Sequence, residues 1–217
     1  MNDSAEVVEC CCPKYSFGNA EWDIGALKQL LDNEPEIVNS RLSTSTGDTL
    51  GHVWLASRGR LVTEVIQAIE LILEAGGDVR ATNGRGNSLL HYSIWYASAE
   101  VTAFLLEQDA DPNTVNRWGE TPLHGAVAFC KADVVRVLLD SGVDATAKDV
   151  RGWTPLDYAE AIQRGELACP RAGHCRRIDS MPDLAADLAS SVQQLLGRQI
   201  NETSTFETGD RRICVEM

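Results

Sequence analysis

One spacing recurs along the chain. His91, His124 and Asp157 stand 33 residues apart, and each sits at the same place in a short phrase: "SLLH", "TPLH" and "TPLD". The paired apolar residues Ile72-Leu73, Leu105-Leu106 and Leu138-Leu139 keep the same interval of 33. A turn-like segment follows each pair: "EAGGDVRA" at 74–81, "EQDADPNT" at 107–114 and "DSGVDATA" at 140–147. A period of 20–50 residues means that one supersecondary unit is copied and stacked, because a single copy cannot bury its own apolar face.

Each letter of the phrase has a local reason. Gly86, Gly119 and Gly152 fall where a tight turn needs a positive φ. Ser88, Thr121 and Thr154 stand where a helix N-cap hydroxyl can accept an orphan backbone N–H. Pro122 and Pro155 take the first helical position, where a missing N–H costs nothing. Leu123 and Leu156 then enter the core, and the leucine pairs close a second helix that a Gly-rich turn stops.

The stretch "NRWGETPLHGAV…VVRVLLDSGVDATA" over 116–147 resembles the ankyrin repeat. So do "NGRGNSLLHYS…TAFLLEQDADPN" before it and "DVRGWTPLDYA" after it. A weaker copy begins "TGDTLGHVW" at 46, and "ALKQLLDNEPEIVNS" at 26–40 looks like the second helix of a degenerate first copy. The resemblance implies an all-α fold: an ankyrin-repeat α-solenoid of four to five helix-turn-helix repeats with β-turn fingers and degenerate caps. It spans roughly residues 23–197, flanked by an N-terminal segment 1–22 and a tail 198–217 in which no period survives. Such a tail is expected to be disordered.

Two departures from the period locate insertions. His52 to His91 is 39 residues, while Ile72-Leu73 stay in register, so six extra residues lie between His52 and Ile72. They predict a longer inter-helix loop or an extended second helix. In the last copy the leucine pair is displaced to Leu195-Leu196, and an insertion at 165–183 carries Pro170, Gly173 and Pro182, which read as loop.

Composition limits what such a stack could do. The net charge of −13 opposes direct contact with a phosphate backbone and would attract a basic partner surface over long range. No apolar run reaches the ~18 residues of a membrane helix, and the acidic N-terminus lacks the basic region of a secretory signal. Seven cysteines, with Cys10, Cys11 and Cys12 consecutive, read as free thiols in a reducing compartment, cytoplasmic or nuclear.

The candidate chemistry is thin. His52, His91 and His124 are spaced by repeats that stack ~10 Å apart, too far to share a metal at ~2 Å. The resemblance gives these rings a structural role, bonded to their own N-cap and the neighbouring loop. Cys169, His174 and Cys175 offer three zinc ligands where four are needed. No nucleophile elbow or phosphate-cradling loop is present, so no catalytic, cofactor or metal residue is assigned. Cys214-Val215-Glu216-Met217 fits a prenylation frame, with Glu216 where an aliphatic residue is usual. A lipid on Cys214 would make the chain a membrane-associated regulator.

What remains is surface. The resemblance implies that partners meet the turn tips and the first helices. Beside the turn glycines stand Arg85, Asn87, Trp118, Glu120, Arg151 and Trp153; on the first helices, four and five residues past the histidines, stand Trp95-Tyr96 and Ala128-Phe129. Trp, Tyr and Arg are common binding anchors. These residues are the expected contact set for another protein, met by a chain that is monomeric on its own. The competing reading of Trp118 and Trp153 is a local staple between neighbouring turns.

Overall fold

The computed structural model describes residues 23–42, 45–57, 60–164, 166 and 197. Eight α-helices appear among them: α1 (Ile24–Asn33), α2 (Leu50–Ala56), α3 (Val62–Glu74), α4 (Leu89–Tyr96), α5 (Ala99–Glu107), α6 (Pro122–Ala128), α7 (Ala132–Asp140) and α8 (Pro155–Gln163). The only sheet pairing among the described residues is an isolated antiparallel bridge, Thr82 to Ser88, at one turn finger. The fold is the all-α solenoid expected from the repeats.

The helices start where the phrases place them. Thr49, Ser88, Thr121 and Thr154 are N-caps with extended backbone, and Pro122 and Pro155 open α6 and α8. Asp23 caps α1 by accepting the Ala26 N–H at 2.7 Å. The 26–40 segment holds α1 and then a 3-10 turn at Pro35–Ile37, because Pro35 cannot continue the helix. Of the six extra residues between His52 and Ile72, four lengthen the helix and two the linker. α3 has 13 residues where α7 has 9, and 57–61 is five residues where 129–131 is three.

The chain divides into two compact units that part between Arg117 and Trp118. In the N-terminal unit the first helices α2 and α4 pack together, and the second helices α1, α3 and α5 form the other layer. Its core is built from Leu27, Leu50, Trp54, Leu55, Ile69, Leu90 and Leu105, all buried. In the C-terminal unit α6 packs on both α7 and α8. Leu123, Ala126, Val134, Leu138, Tyr158 and Ala161 fill that core. The predicted insertion at 165–183, the displaced Leu195-Leu196 pair, the segment 1–22 and the tail from 198 lie outside the described residues, apart from Glu166.

Glycine is demanded at the turn before α6. Gly119 has φ +73°, and a Cβ there would lie 3.0 Å from the Val150 nitrogen and 3.1 Å from the Asp149 Cα. Both the left-handed backbone and the close approach of the next turn exclude a side chain.

Candidate partner-binding surface

The histidines are consumed by structure. The Thr49 N–H points at His52 Nδ1 (3.4 Å), and the Thr49 hydroxyl lies 2.8 Å from the same nitrogen. On the opposite edge, His52 Nε2 donates to the Asn87 carbonyl at 2.9 Å. His124 repeats this with Thr121 N–H at 3.1 Å and the Trp153 carbonyl at 3.0 Å. A backbone N–H only donates and a carbonyl only accepts, so each ring is the neutral Nε2–H tautomer with both nitrogens occupied. Burial lowers the pKa of both rings, against a smaller opposing effect of the carbonyl bonds. Neither ring is poised for catalysis. The described residues contain no group of three or more His, Cys, Asp or Glu side chains able to hold a metal.

A second interlock, not legible in the sequence, accompanies His52 and His124. Tyr92 follows His91 in the chain, and its ring meets His52 edge-on at 4.8 Å. Its hydroxyl donates to the buried Asp48 carboxylate at 2.6 Å and accepts from Asn83 at 3.2 Å. In the C-terminal unit Tyr158 meets His124 edge-on at 5.4 Å. Its hydroxyl contacts Asp149 at 3.0 Å and Glu120 at 3.2 Å, and the Arg151 guanidinium bonds it as well. A tyrosine thus ties its own turn to the turn of the preceding repeat in both units. Burial, followed by the neighbouring carboxylates, raises both phenols, so they stay protonated. For Asp149, burial alone would raise the carboxyl. Bonds from Trp153, Arg151 and Tyr158 together hold it below its ordinary value.

These networks sort the expected contact residues. Asn87 is not a display residue: it is 2% exposed. Its N–H donates to Asn83 Oδ1, its carbonyl takes the His52 proton, and its Oδ1 accepts from Asn116. The residue after a turn glycine heads back toward the N-cap, which carries its side chain inward. Glu120 is drawn in for the same reason and holds Tyr158. Trp153 is half-buried, with its ring edge-on to Tyr158 at 5.9 Å and the Arg151 guanidinium 5.2 Å above it. It staples its own repeat. Arg151 is exposed but paired with Asp149 at 2.9 Å.

The residues before the glycines behave differently. Arg85 is exposed and Trp118 half-exposed at the turns. Trp95 and Tyr96 end α4, in an aromatic cluster where Tyr92 lies 5.4 Å from Trp95 and 5.7 Å from Tyr96. Tyr96 keeps 38% of its surface in solvent. Phe129 is half-exposed at the end of α6. Neighbouring Cys130 is a free, buried thiol whose pKa burial raises, which makes it inert. Cys214, the Cys169–His174–Cys175 group and Cys10–Cys12 lie outside the described residues. No described helix is long and apolar enough to cross a membrane.

Among known proteins, a family model described as ankyrin repeats (many copies) matches residues 72–126 and 105–159. No curated protein matches the chain.

Proposed function

Because the chain belongs to the ankyrin repeat family across residues 72–159, we propose that it is a non-enzymatic adaptor, inhibitor or regulatory subunit that holds another protein on its repeats. Ankyrin repeats are protein-interaction modules, and a rigid stack loses little conformational entropy on binding. The observation that carries the reading is the aromatic end of α4. Tyr96 exposes 38% of its surface beside Trp95, while Tyr92 of the same cluster bonds the buried Asp48. Large aromatic side chains with one face in water are the usual anchors of protein contacts. Buried free Cys130 and the consecutive Cys10–Cys12 support a reducing compartment, cytoplasm or nucleus.

Affinity purification with the full chain, compared with its Tyr96→Ala variant, tests the role. A protein enriched by the wild type should lose about thirtyfold in affinity with the variant, the cost of an aromatic anchor, at unchanged melting temperature. An unchanged set of bound proteins would remove Tyr96 as the anchor.

A further inference from the structure

We infer that residues 206–210 of the tail, "FETGD", dock as a further turn finger on the open edge of the last described finger. The edge is defined by what the earlier fingers do. In the N-terminal unit the Gly84 N–H donates to the Thr46 carbonyl at 2.8 Å, and the Arg117 N–H to the Arg85 carbonyl at 3.0 Å. In the C-terminal unit the Val150 N–H donates to the Trp118 carbonyl at 2.9 Å. Each donor stands two residues before a turn glycine, and each acceptor stands directly before one. Arg151 is the next acceptor in that register. Among the described residues its carbonyl takes no hydrogen bond, and Arg151 bonds only through its N–H and guanidinium.

The flank of the glycine agrees. A Cβ on Gly86 would lie 3.1 Å from the Asn116 Cα, and one on Gly119 would lie 3.0 Å from the Val150 nitrogen, because another finger packs against each. At Gly152 no described atom lies within 4 Å of that place, and Val150 keeps 71% of its surface in water. An unpaired edge is a template for a further extended segment.

The sequence supplies such a segment in register. The 33-residue period stops before the tail, but a shorter interval runs into it. Gly86, Gly119 and Gly152 stand 13 residues past Leu73, Leu106 and Leu139, and Gly209 stands 13 past Leu196. The second helices α3, α5 and α7 end on the residue after the apolar pair, at Glu74, Glu107 and Asp140. Gly197 holds that place after Leu196 and is helical. Thr208-Gly209-Asp210 also repeats Thr46-Gly47-Asp48, a finger already built in this chain, with Gly47 at φ +64°. Glu207 then becomes the donor, and its carboxylate comes beside exposed Arg151, an opposite-charge pairing across adjacent strands. Phe206 takes the place of Asn83, Asn116 and Asp149, so the polar column stops, and the main-chain bond and the charge hold the segment. So small a contact opens readily. It shields the edge from other chains without stiffening the fold, and it does not depend on the binding role above.

Amide hydrogen exchange on the full chain, read residue by residue by NMR, tests the inference. Corrected for intrinsic rates, the Glu207 amide should exchange about tenfold slower than those of 213–217, the effect of one hydrogen bond. Gly209→Val should abolish that protection. So should Gly152→Ala, whose Cβ would meet the incoming Glu207 nitrogen as one on Gly119 would meet that of Val150. The urea midpoint should not move with Gly209→Val. An unprotected Glu207 amide in the wild type would overturn the inference. Protection that survives both substitutions would do the same, because the segment would then rest elsewhere. Protection that grows with protein concentration, alongside a dimer mass in light scattering, would assign the edge to a second copy and also overturn it.

Discussion

Lowering the pH from about 7.5 to about 5.5 should destabilise the fold through His52 and His124. Both rings are fully buried, and both nitrogens of each are engaged in the neutral form. Burial depresses their folded pKa values. The unfolded chain then holds more protons below ~6.5, the ordinary histidine value, and stability falls with pH from there. The fall ends only when the folded rings take up protons themselves. Each such proton costs about 1.4 kcal/mol per pH unit, so the pair sets a slope approaching ~2.7 kcal/mol per unit. Asp149 and Asp157 have lowered values instead. Their contribution is present above the ordinary carboxylate range and is lost only as pH falls below ~4. Urea denaturation followed by tryptophan fluorescence at three pH values separates the two windows. His124→Asn sharpens the measurement: the amide oxygen can replace Nδ1 toward the Thr121 N–H, but nothing replaces Nε2 at the Trp153 carbonyl. The variant should lose about 2–3 kcal/mol at neutral pH, one hydrogen bond plus the edge-on contact with Tyr158. Its slope should halve. A slope unchanged by the substitution, or stability rising as pH falls, would refute the tautomer assignment.

Four substitutions test the rest of the frame. Gly119→Ala should cost more than Gly152→Ala in the same urea assay: both glycines have positive φ, but only at 119 would the Cβ meet backbone, at 3.0 Å, while nothing lies within 4 Å at 152. About 1–2 kcal/mol is expected at 152 from the left-handed backbone alone, and more at 119. Asp109 occupies a left-handed position, φ +64°, matching Gly76 and Gly142 one repeat away on either side; Asp109→Gly should stabilise by about 0.5–1 kcal/mol, read as a higher melting temperature. Tyr92→Phe should cost about 1.5–2 kcal/mol by urea denaturation, the value of a hydrogen bond to a buried carboxylate.

The fold could be read from the sequence because the repeat phrase couples three independent requirements at fixed spacing: a left-handed turn, an N-cap and a core leucine. Thr121-Pro122-Leu123-His124 fixes the start of α6 to the residue. The polar ladder could not be read so easily. Asn83, Asn116 and Asp149 also stand 33 apart, but the change of residue type hides the column. Its tyrosine partners occur only at 92 and 158, with Val53 and Gly125 at the equivalent places. The contact set blurred for a related reason. The two neighbours of a turn glycine look alike in sequence, yet the left-handed step sends the following residue inward, as Asn87 shows, and leaves the preceding one, Arg85, in water. Net charge is a coarse guide to a partner in the same way. It counts every acid, including Asp48 and Asp149, whose carboxylates are buried against their own turns.

Asp157 in the place of a histidine follows from this geometry. A histidine has two polar edges, one for its own N-cap and one for the turn of the next repeat, as His52 and His124 use them. Asp157 keeps the first function. Its carboxylate accepts the Thr154 N–H and hydroxyl, both at 2.7 Å, and its own N–H returns to the Thr154 hydroxyl at 3.2 Å. Those bonds lower its pKa, and the side chain remains exposed. A carboxylate so satisfied asks for no carbonyl from a further turn, where an imidazole would leave Nε2–H to be paired. Tyr158 then carries the remaining link to the preceding repeat, through Glu120 and on the edge of His124. Among the described residues, the last repeat is thereby fastened to the repeat before it, whose His124 reaches forward to the Trp153 carbonyl.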